Sequence, residues 1–470
     1  MMDWTGVNVV IIGAARQGTA LARYLIKHGA SVVLNDRRKA FELTNVQSEL
    51  SEYPIRWVLG GHPLDLLEDA DILCPSAGVP LSIPLIEAAK KKGIPLSNDS
   101  QIFLAVAPCK VIGITGSAGK TTTTTIVGRI AHESVLYDQN LNRAWIGGNI
   151  GTPLITYVDE MQKNDIAIIE LSSFQLEAMT LSPQIAAVIN ITPNHLDRHG
   201  TMEAYTSAKA RIIRFQNEGD IAVLNQEDGG SWSLSDMVQG RLVTFGRHKY
   251  PEAKSLDESR WEAGTFIEDD WVCLWDDKST KRLISLDEYE LKGEHNLLNL
   301  LAACSLAYAA DFPIEGIRNG IVGFSGVPHR LEFIRSWGGA DWYNDSIATA
   351  PERVIAAIRS FDEPLILLAG GRDKDLPWLA FADLVKKRVK QLILFGEAAE
   401  KIQKAILASK VQRELNVHMC SNLQEAVTTA VQIAEPGDVV LLSPGGTSFD
   451  EFNDFEERGD WFRKWVKNLS

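Results

Sequence analysis

Eight consecutive residues, Thr115-Gly116-Ser117-Ala118-Gly119-Lys120-Thr121-Thr122, have the composition and spacing of a phosphate-binding loop. Glycines let the main chain turn so that successive N–H groups converge on an anion. A helix that begins there adds the positive end of its dipole. Lys120 is spaced to reach the β- and γ-phosphates of a nucleotide, and the Thr121 hydroxyl to ligate Mg²⁺. Gly116, Ser117, Ala118, Gly119 and Thr122 complete the cradle. The strict pattern has glycine where Ile114 stands, so the loop is a variant. The run Thr121 to Thr125 starts a helix poorly by propensity. A need for hydroxyls beside a bound anion explains it better than packing does.

Two further stretches carry groups that bind cations or transfer protons: Glu170-Leu171-Ser172-Ser173-Phe174-Gln175 and Asn194-His195-Leu196-Asp197-Arg198-His199. Each follows an apolar strand-like run, which puts it at the C-terminal end of a strand, where open α/β sheets bind ligands. A carboxylate and an imidazole there could hold a second divalent cation. Taken alone, Glu170 could instead cap a helix and His195 could be a turn residue. Lys209, within Tyr205 to Arg211, could face solvent on a helix. Asn296 and Asn299, in Gly293 to Asn299, could cap the apolar helix they precede or contact adenine and ribose. The segment Gly13-Ala14-Ala15-Arg16-Gln17-Gly18, with Asp36 downstream, is a worn dinucleotide fingerprint. Ala15 stands where a middle glycine lets the main chain approach a pyrophosphate, which weakens a nicotinamide-oxidoreductase reading. Asp36 could still bond a ribose or a base.

The elements that must position these groups alternate short apolar runs with amphipathic helix-length segments. That is the pattern of parallel sheets with crossover helices. A first unit predicts strands over 7–12, 31–34, 56–59, 70–74 and 94–97, with a helix through Leu21, Leu25 and Ile26. A second predicts strands over 110–114, 166–170, 185–190, 221–225 and 242–245, a hairpin-like region over 261–291 and a long helix over 297–310. A third predicts strands over 342–344, 365–369, 392–395 and 439–442.

The chain has 470 residues, enough for about three domains. Hydrophobic residues make up 45% and charged residues 23%, globular values that exclude disorder. The formal net charge of −14 disfavours a nucleic-acid partner. No apolar run reaches the ~18 residues of a membrane span, and the start has no secretory leader pattern. A cytoplasmic protein with no membrane partner is expected. The five cysteines lack Cys-x-x-Cys spacing, so neither a disulfide framework nor a cysteine zinc site is expected.

Together these pieces resemble the Mur ligase family, nearly end to end. The resemblance is carried by Thr115 to Thr122, Gly147-Gly148-Asn149-Ile150-Gly151, Glu170 to Leu176, Asn194 to Asp197, Lys209 and Gly293 to Asn299. It continues through His329-Arg330, Asn344-Asp345-Ser346, Gly370-Gly371-Arg372-Asp373-Lys374 and Ser443 to Phe452. The tract Glu170 to Gln175 and the region Ser443 to Phe455 lean towards the branch that adds D-glutamate. The resemblance implies an α/β fold in three domains. They are a Rossmann-like UDP-binding domain (1–107), a central P-loop-type ATP-binding domain whose mostly parallel sheet has a small antiparallel part (108–326), and a Rossmann-like amino-acid-binding domain (327–470).

It also implies a monomer that uses ATP and Mg²⁺ to join D-glutamate to UDP-N-acetylmuramoyl-L-alanine through an acyl phosphate. That reaction belongs to peptidoglycan precursor synthesis, hence to cell-wall growth, shape and division. Carried over by position, Lys120, Glu170, His195 and Lys209 are catalytic, and Thr121, Glu170, His195 and Lys209 surround the metals. The Lys209 position corresponds to a family lysine that becomes carbamylated. Asn296, Asn299, Arg330 and Asp345 fit nucleotide contacts. Asn149, Ser172 and Gln175, with His195, fit the muramoyl-alanine side, and Gln17, Asp36 and Arg38 the uridine pocket. Thr349, Lys374, Ser448 and Phe455 fit the D-glutamate pocket. Two positions depart from the pattern. Ile347 stands where many relatives continue Asn-Asp-Ser with lysine, which removes a cation near the amino-acid site. Asn98-Asp99 stands where relatives often have Gly-Glu, and is expected on a surface loop. The alternatives are another Mur ligase, a folylpolyglutamate-type ligase or a non-catalytic nucleotide-binding subunit.

Overall fold

The computed structural model describes residues 3–149, 151–249, 261–276, 279–291, 293–373 and 376–469. They pack as two compact units, Met1–Phe324 and Ser325–Ser470. Among the described residues three sheets form, two in the first unit and one in the second.

The first sheet holds β1 (Asn8–Ile12), β2 (Ser31–Asp36), β3 (Arg56–Leu59) and β4 (Ile72–Pro75), all parallel, in the order β3-β2-β1-β4. The helix Arg16–Lys27 buries Leu21 and Leu25 against it, the face its apolar spacing specifies. The strand expected over 94–97 is not there. It reduces to one bridge, Leu73 to Leu96, because Pro95 has no N–H to extend a ladder.

The second sheet holds β5 (Lys110–Thr115), β6 (Ala144–Gly148), β7 (Ile166–Glu170), β8 (Ile185–Val188), β9 (Ile221–Asn225), β10 (Arg241–Phe245), β11 (Trp261–Glu268), β12 (Trp271–Asp276) and β13 (Thr280–Ser285). Its order is β13-β12-β11-β10-β9-β8-β5-β7-β6. β5 to β11 pair in parallel; β12 and β13 turn back as the antiparallel part. Every residue of β7, β8 and β9 is buried, as expected where helices cover both faces. The register sets Ile114 of β5 and Gly148 of β6 on either side of Glu170 at the end of β7. The chain reverses its winding at β5, so the functional stretches collect at one carboxyl edge.

The third sheet holds β14 (Glu332–Trp337), β15 (Ala340–Asn344), β16 (Leu365–Gly370), β17 (Val389–Phe395), β18 (Asn416–Met419) and β19 (Val439–Gly445), in the order β14-β15-β19-β16-β17-β18. Only β14 is antiparallel to its neighbour. The sheet is packed on both faces, by clusters around Phe381 and Leu394 on one side and around Trp342 and Phe462 on the other. Among the described residues no helix is long and apolar enough to cross a membrane. All five cysteines are free thiols.

Candidate functional site

The phosphate-loop candidate sits between β5 and the helix Lys120–Ser134. Gly119 caps that helix in the left-handed region, φ 80°, and a Cβ there would lie 2.1 Å from the Asn299 side-chain oxygen. Only glycine satisfies both demands. Asn299, on the helix Glu294–Ala309, thereby packs onto the loop and also accepts from the Thr123 hydroxyl at 3.4 Å. Asn296 lies one turn earlier, its carbonyl accepting from the Tyr289 hydroxyl at 3.1 Å. Asn190, just past the end of β8, clamps the loop from the other side. Its carbonyl takes the Ser117 N–H at 3.0 Å, and its side chain exchanges bonds with Ala118 at 2.9 and 3.1 Å.

Two lysine side-chain nitrogens meet at one carbonyl of the loop. Lys120 Nζ and Lys209 Nζ each donate to the Gly116 oxygen at 2.8 Å. Lys209 is fully buried over the Tyr205 ring, and the Tyr205 hydroxyl donates to Ser117 Oγ at 3.0 Å. Burial, reinforced by the Lys120 charge and opposed by Glu170, drives the Lys209 ammonium well below its ordinary pKa. Burial thus favours the neutral amine over the ammonium, and the side chain is not on a solvated helix face. Beside it Glu170, also buried, accepts from the Thr121 hydroxyl at 2.9 Å and from the Asn149 amide at 2.8 Å. Thr121 and Glu170 are hard oxygen donors of the kind Mg²⁺ takes, and Mg²⁺ needs few protein ligands when phosphate and water complete its shell. An unmodified Lys209 has no lone pair to spare for a cation when protonated. Among the described residues no three His, Cys, Asp or Glu side chains cluster as a self-sufficient metal site.

His195 is exposed on the turn after β8, with φ 53° in the left-handed region. Its ring lies 5.1 Å from that of Phe174. Phe174 also stacks on His199 at 5.1 Å and on the Arg198 guanidinium at 3.9 Å. Arg198 reaches across to the Val79 carbonyl at 2.9 Å, and His199 Nε2 bonds Ser173 Oγ at 3.0 Å. Ser172 and Gln175 form a capping box at the start of the short helix Ser173–Leu176. Gln175 further joins Ser100 Oγ at 2.9 Å and takes the Asn98 amide on its carbonyl at 2.8 Å. This corrects the expectation for Asn98-Asp99. Both are buried, Asn98 caps the helix Asp99–Val106, and burial lifts the Asp99 carboxyl to about 6.

In the first sheet, Asp36 ends β2 and turns back onto the Gly13 to Gly18 turn. Its carboxylate takes the Ala14 N–H at 2.8 Å and the Arg38 guanidinium at 2.7 and 3.0 Å. Burial works to raise this carboxyl, but Arg38 and the two main-chain donors overcome it and hold it at about 2. Gln17 is half-buried on the following helix. Arg16 bonds the Asn149 carbonyl at 3.2 Å, so the turn reaches the end of β6.

In the 325–470 unit, Asp345 is buried past β15. It takes the Ser443 hydroxyl at 2.7 Å and the Leu331 N–H at 3.3 Å, while burial pushes it up to about 7. Arg330 is exposed on the preceding turn. Ser448 is buried, and its carbonyl accepts from Phe452 at 2.8 Å. The Phe455 carbonyl accepts from Ser346 Oγ at 2.8 Å, and Thr349 is half-buried before the helix Pro351–Ile358. Lys374 lies outside the described residues. Arg372 is clasped by both oxygens of Glu397 at 2.9 and 3.0 Å.

Sequence reasoning passed over Asn190, Tyr205, Phe174 and Arg458. A polar residue closing an apolar strand was a signal for Asn190. Arg458, amid acidic neighbours, gave none.

Three family models match the chain: a MurD-like N-terminal domain of Mur ligases over residues 7–98, a Mur ligase middle domain over 114–307 and a Mur ligase glutamate ligase domain over 329–446. The UDP-N-acetylmuramoylalanine–D-glutamate ligase of Symbiobacterium thermophilum is 38% identical over 467 residues, covering 98% of each chain. That of Pelotomaculum thermopropionicum is 38% identical over 476 residues, covering 100% of this chain and 99% of its own. Among solved structures, UDP-N-acetylmuramate-alanine ligase from Thermotoga maritima aligns with TM-score 0.53 at 18% identity, over 98% of this chain and 99% of its own. A murein peptide ligase from Psychrobacter arcticus aligns with TM-score 0.51 at 15% identity, over 99% and 100%. These structural likenesses speak for the fold.

Proposed function

The chain belongs to the Mur ligase family, and from that premise we propose that it joins D-glutamate to UDP-N-acetylmuramoyl-L-alanine with ATP. The single observation that supports this best in the geometry is the convergence of Lys120 and Lys209 on Gly116, next to the Thr121–Glu170 pair. A carboxylate becomes an electrophile only when one oxygen is made a leaving group. The carboxylate oxygen of the alanyl end attacks the γ-phosphorus, the bond to ADP breaks, and an acyl phosphate forms. The amine of D-glutamate then attacks the acyl carbon, loses a proton, and orthophosphate departs.

Three anionic groups must approach one another for this, so the cradle has to be cationic. Lys120 screens the β- and γ-phosphates, and the loop amides orient them. Mg²⁺ supplies further charge neutralisation; Thr121, Glu170, His195 and a modified Lys209 would hold it. Lys209 is suited to that modification. Its neutral form, which burial favours, adds to carbon dioxide, forming an N–C bond and releasing a proton, and the carbamate offers oxygen donors that an ammonium lacks. Gly116, Ser117, Ala118, Gly119, Thr122, Asn296 and Asn299 are assigned to ATP, with Arg330 and Asp345 from the 325–470 unit. Gln17, Asp36 and Arg38 are assigned to uridine, and Asn149, Ser172 and Gln175 to the muramoyl-alanine portion. Thr349, Lys374, Ser448 and Phe455 are assigned to D-glutamate. We place the domain limits at 107/108 and 326/327, the working form as a monomer and its compartment as the cytoplasm.

The test is orthophosphate release by the full chain with ATP, Mg²⁺, UDP-N-acetylmuramoyl-L-alanine and either enantiomer of glutamate. Release matched by amide product with the D form alone is expected. No release with either enantiomer contradicts the reading.

A further inference from the structure

Arg458 is a charged side chain to which the ligation chemistry above gives no part. It belongs to the helix Phe455–Lys467, yet it is fully buried. Its Nε donates to Ser346 Oγ at 2.9 Å, one terminal nitrogen to the Ser346 carbonyl at 2.8 Å and the other to the Gly446 carbonyl at 3.2 Å. Gly371 leaves it room, since a Cβ there would lie 2.9 Å from the guanidinium. All three acceptors are neutral. Among the described residues Asp450 and Glu451 act on it through their fields, without an ion-pair contact. A buried cation without a direct counter-ion is costly to keep. Burial lowers Arg458 only to about 10, so it stays charged near neutral pH.

The segments it ties together are those assigned to the amino-acid substrate. Ser346 Oγ, which takes Arg458 Nε, itself donates to the Phe455 carbonyl, and Gly446 precedes Thr447-Ser448. Other described cations are engaged elsewhere, Arg372 with Glu397, Lys401 with Asp373 and Arg463 with Glu332, while the exposed Arg353 donates to the Ile347 carbonyl at 3.2 Å. Ile347 leaves the position after Ser346 uncharged.

We propose that Arg458 is the fixed positive charge that makes this ligase prefer an amino acid with a side-chain carboxylate, acting through Ser346, Gly446 and Phe455 without touching the substrate. It is a positioning residue, and the inference rests on the D-glutamate reading. A charge held a few ångströms behind a neutral lining still favours an anion over its amide, because the intervening protein screens far less than water. D-glutamine is the matched probe, nearly the same size as D-glutamate but without that charge and with an NH2 donor in place of one acceptor oxygen.

The experiment measures kcat/KM for D-glutamate and for D-glutamine in the full-length wild type, Arg458→Met, Arg458→Lys and Asp450→Asn. Arg458→Met should lower the D-glutamate to D-glutamine ratio by about tenfold, with KM for ATP changed less than about twofold. Arg458→Lys keeps the charge and should hold the ratio within about twofold, even if kcat falls. Asp450→Asn removes the opposing carboxylate whose field acts most strongly on Arg458 and should raise the ratio about threefold. It also keeps the test open should Arg458→Met not fold. An unchanged ratio in Arg458→Met or in Asp450→Asn overturns the proposal and leaves Arg458 a structural strut. A wild type that ligates neither acceptor contradicts the reading of the site instead.

Discussion

The turn between β1 and the helix Arg16–Lys27 and the loop between β5 and the helix Lys120–Ser134 are built alike. Each joins a buried parallel strand to a helix N-terminus at the point where its sheet reverses its winding. Their charges differ in kind. The β5 loop carries two lysine nitrogens on one carbonyl. The β1 turn carries a carboxylate, with Asp36 accepting the Ala14 N–H and pairing with Arg38. An anion as dense as a triphosphate is stabilised by the first arrangement and repelled by a bare form of the second. An uncharged ribose or base, which offers hydroxyls and N–H groups, suits the second. On the proposed assignment the same backbone plan serves two nucleotides, and the side chains decide which.

The largest expected effect comes from the cationic loop. Lys120→Ala should lower kcat by roughly a thousandfold, with KM for the UDP substrate little changed. A drop of less than about tenfold in steady-state kinetics would separate Lys120 from the phosphates. Next, Lys209→Ala should lose about a hundredfold, with partial recovery on adding a short carboxylic acid that restores the missing oxygens. Wild type stripped of bicarbonate should lose activity and regain it on adding bicarbonate; indifference to both treatments removes the carbamate.

On the other turn, Asp36→Asn should raise KM for the UDP substrate about tenfold and leave KM for ATP alone, as loss of a charged hydrogen-bond acceptor predicts. The smallest effect is on stability. Asp36 sits at about 2 in the fold against an ordinary 3.8. Its contribution is present above about pH 4 and is lost as pH falls towards 2, amounting to about 2 kcal/mol. Acid unfolding of wild type and Asp36→Asn should therefore converge below that range and separate above it.

Much of this plan was legible before any coordinates. Fully buried parallel strands such as β7 and β9 are continuous apolar runs, and the glycine and lysine spacing marked the loop. What escaped was of two kinds. The strands β14 and β18 lie at the edges of their sheet and hold only exposed and half-buried residues, and β6 ends in two glycines, so none of the three reads as an apolar run. The side chains that brace the site were hidden because they break composition rules. Arg458 is buried although charged, and Asn98-Asp99, expected in a surface loop, are buried against Gln175. Tertiary partners far along the chain decide such positions, and no local pattern records them.

Calorimetric titration of a non-hydrolysable ATP analogue and of UDP into wild type, Lys120→Ala and Asp36→Asn compares the two turns directly. The account predicts a crossed result: Lys120→Ala loses the ATP analogue and keeps UDP, whereas Asp36→Asn weakens UDP and keeps the analogue. Loss of both ligands together in either variant, or the reverse assignment, would contradict it.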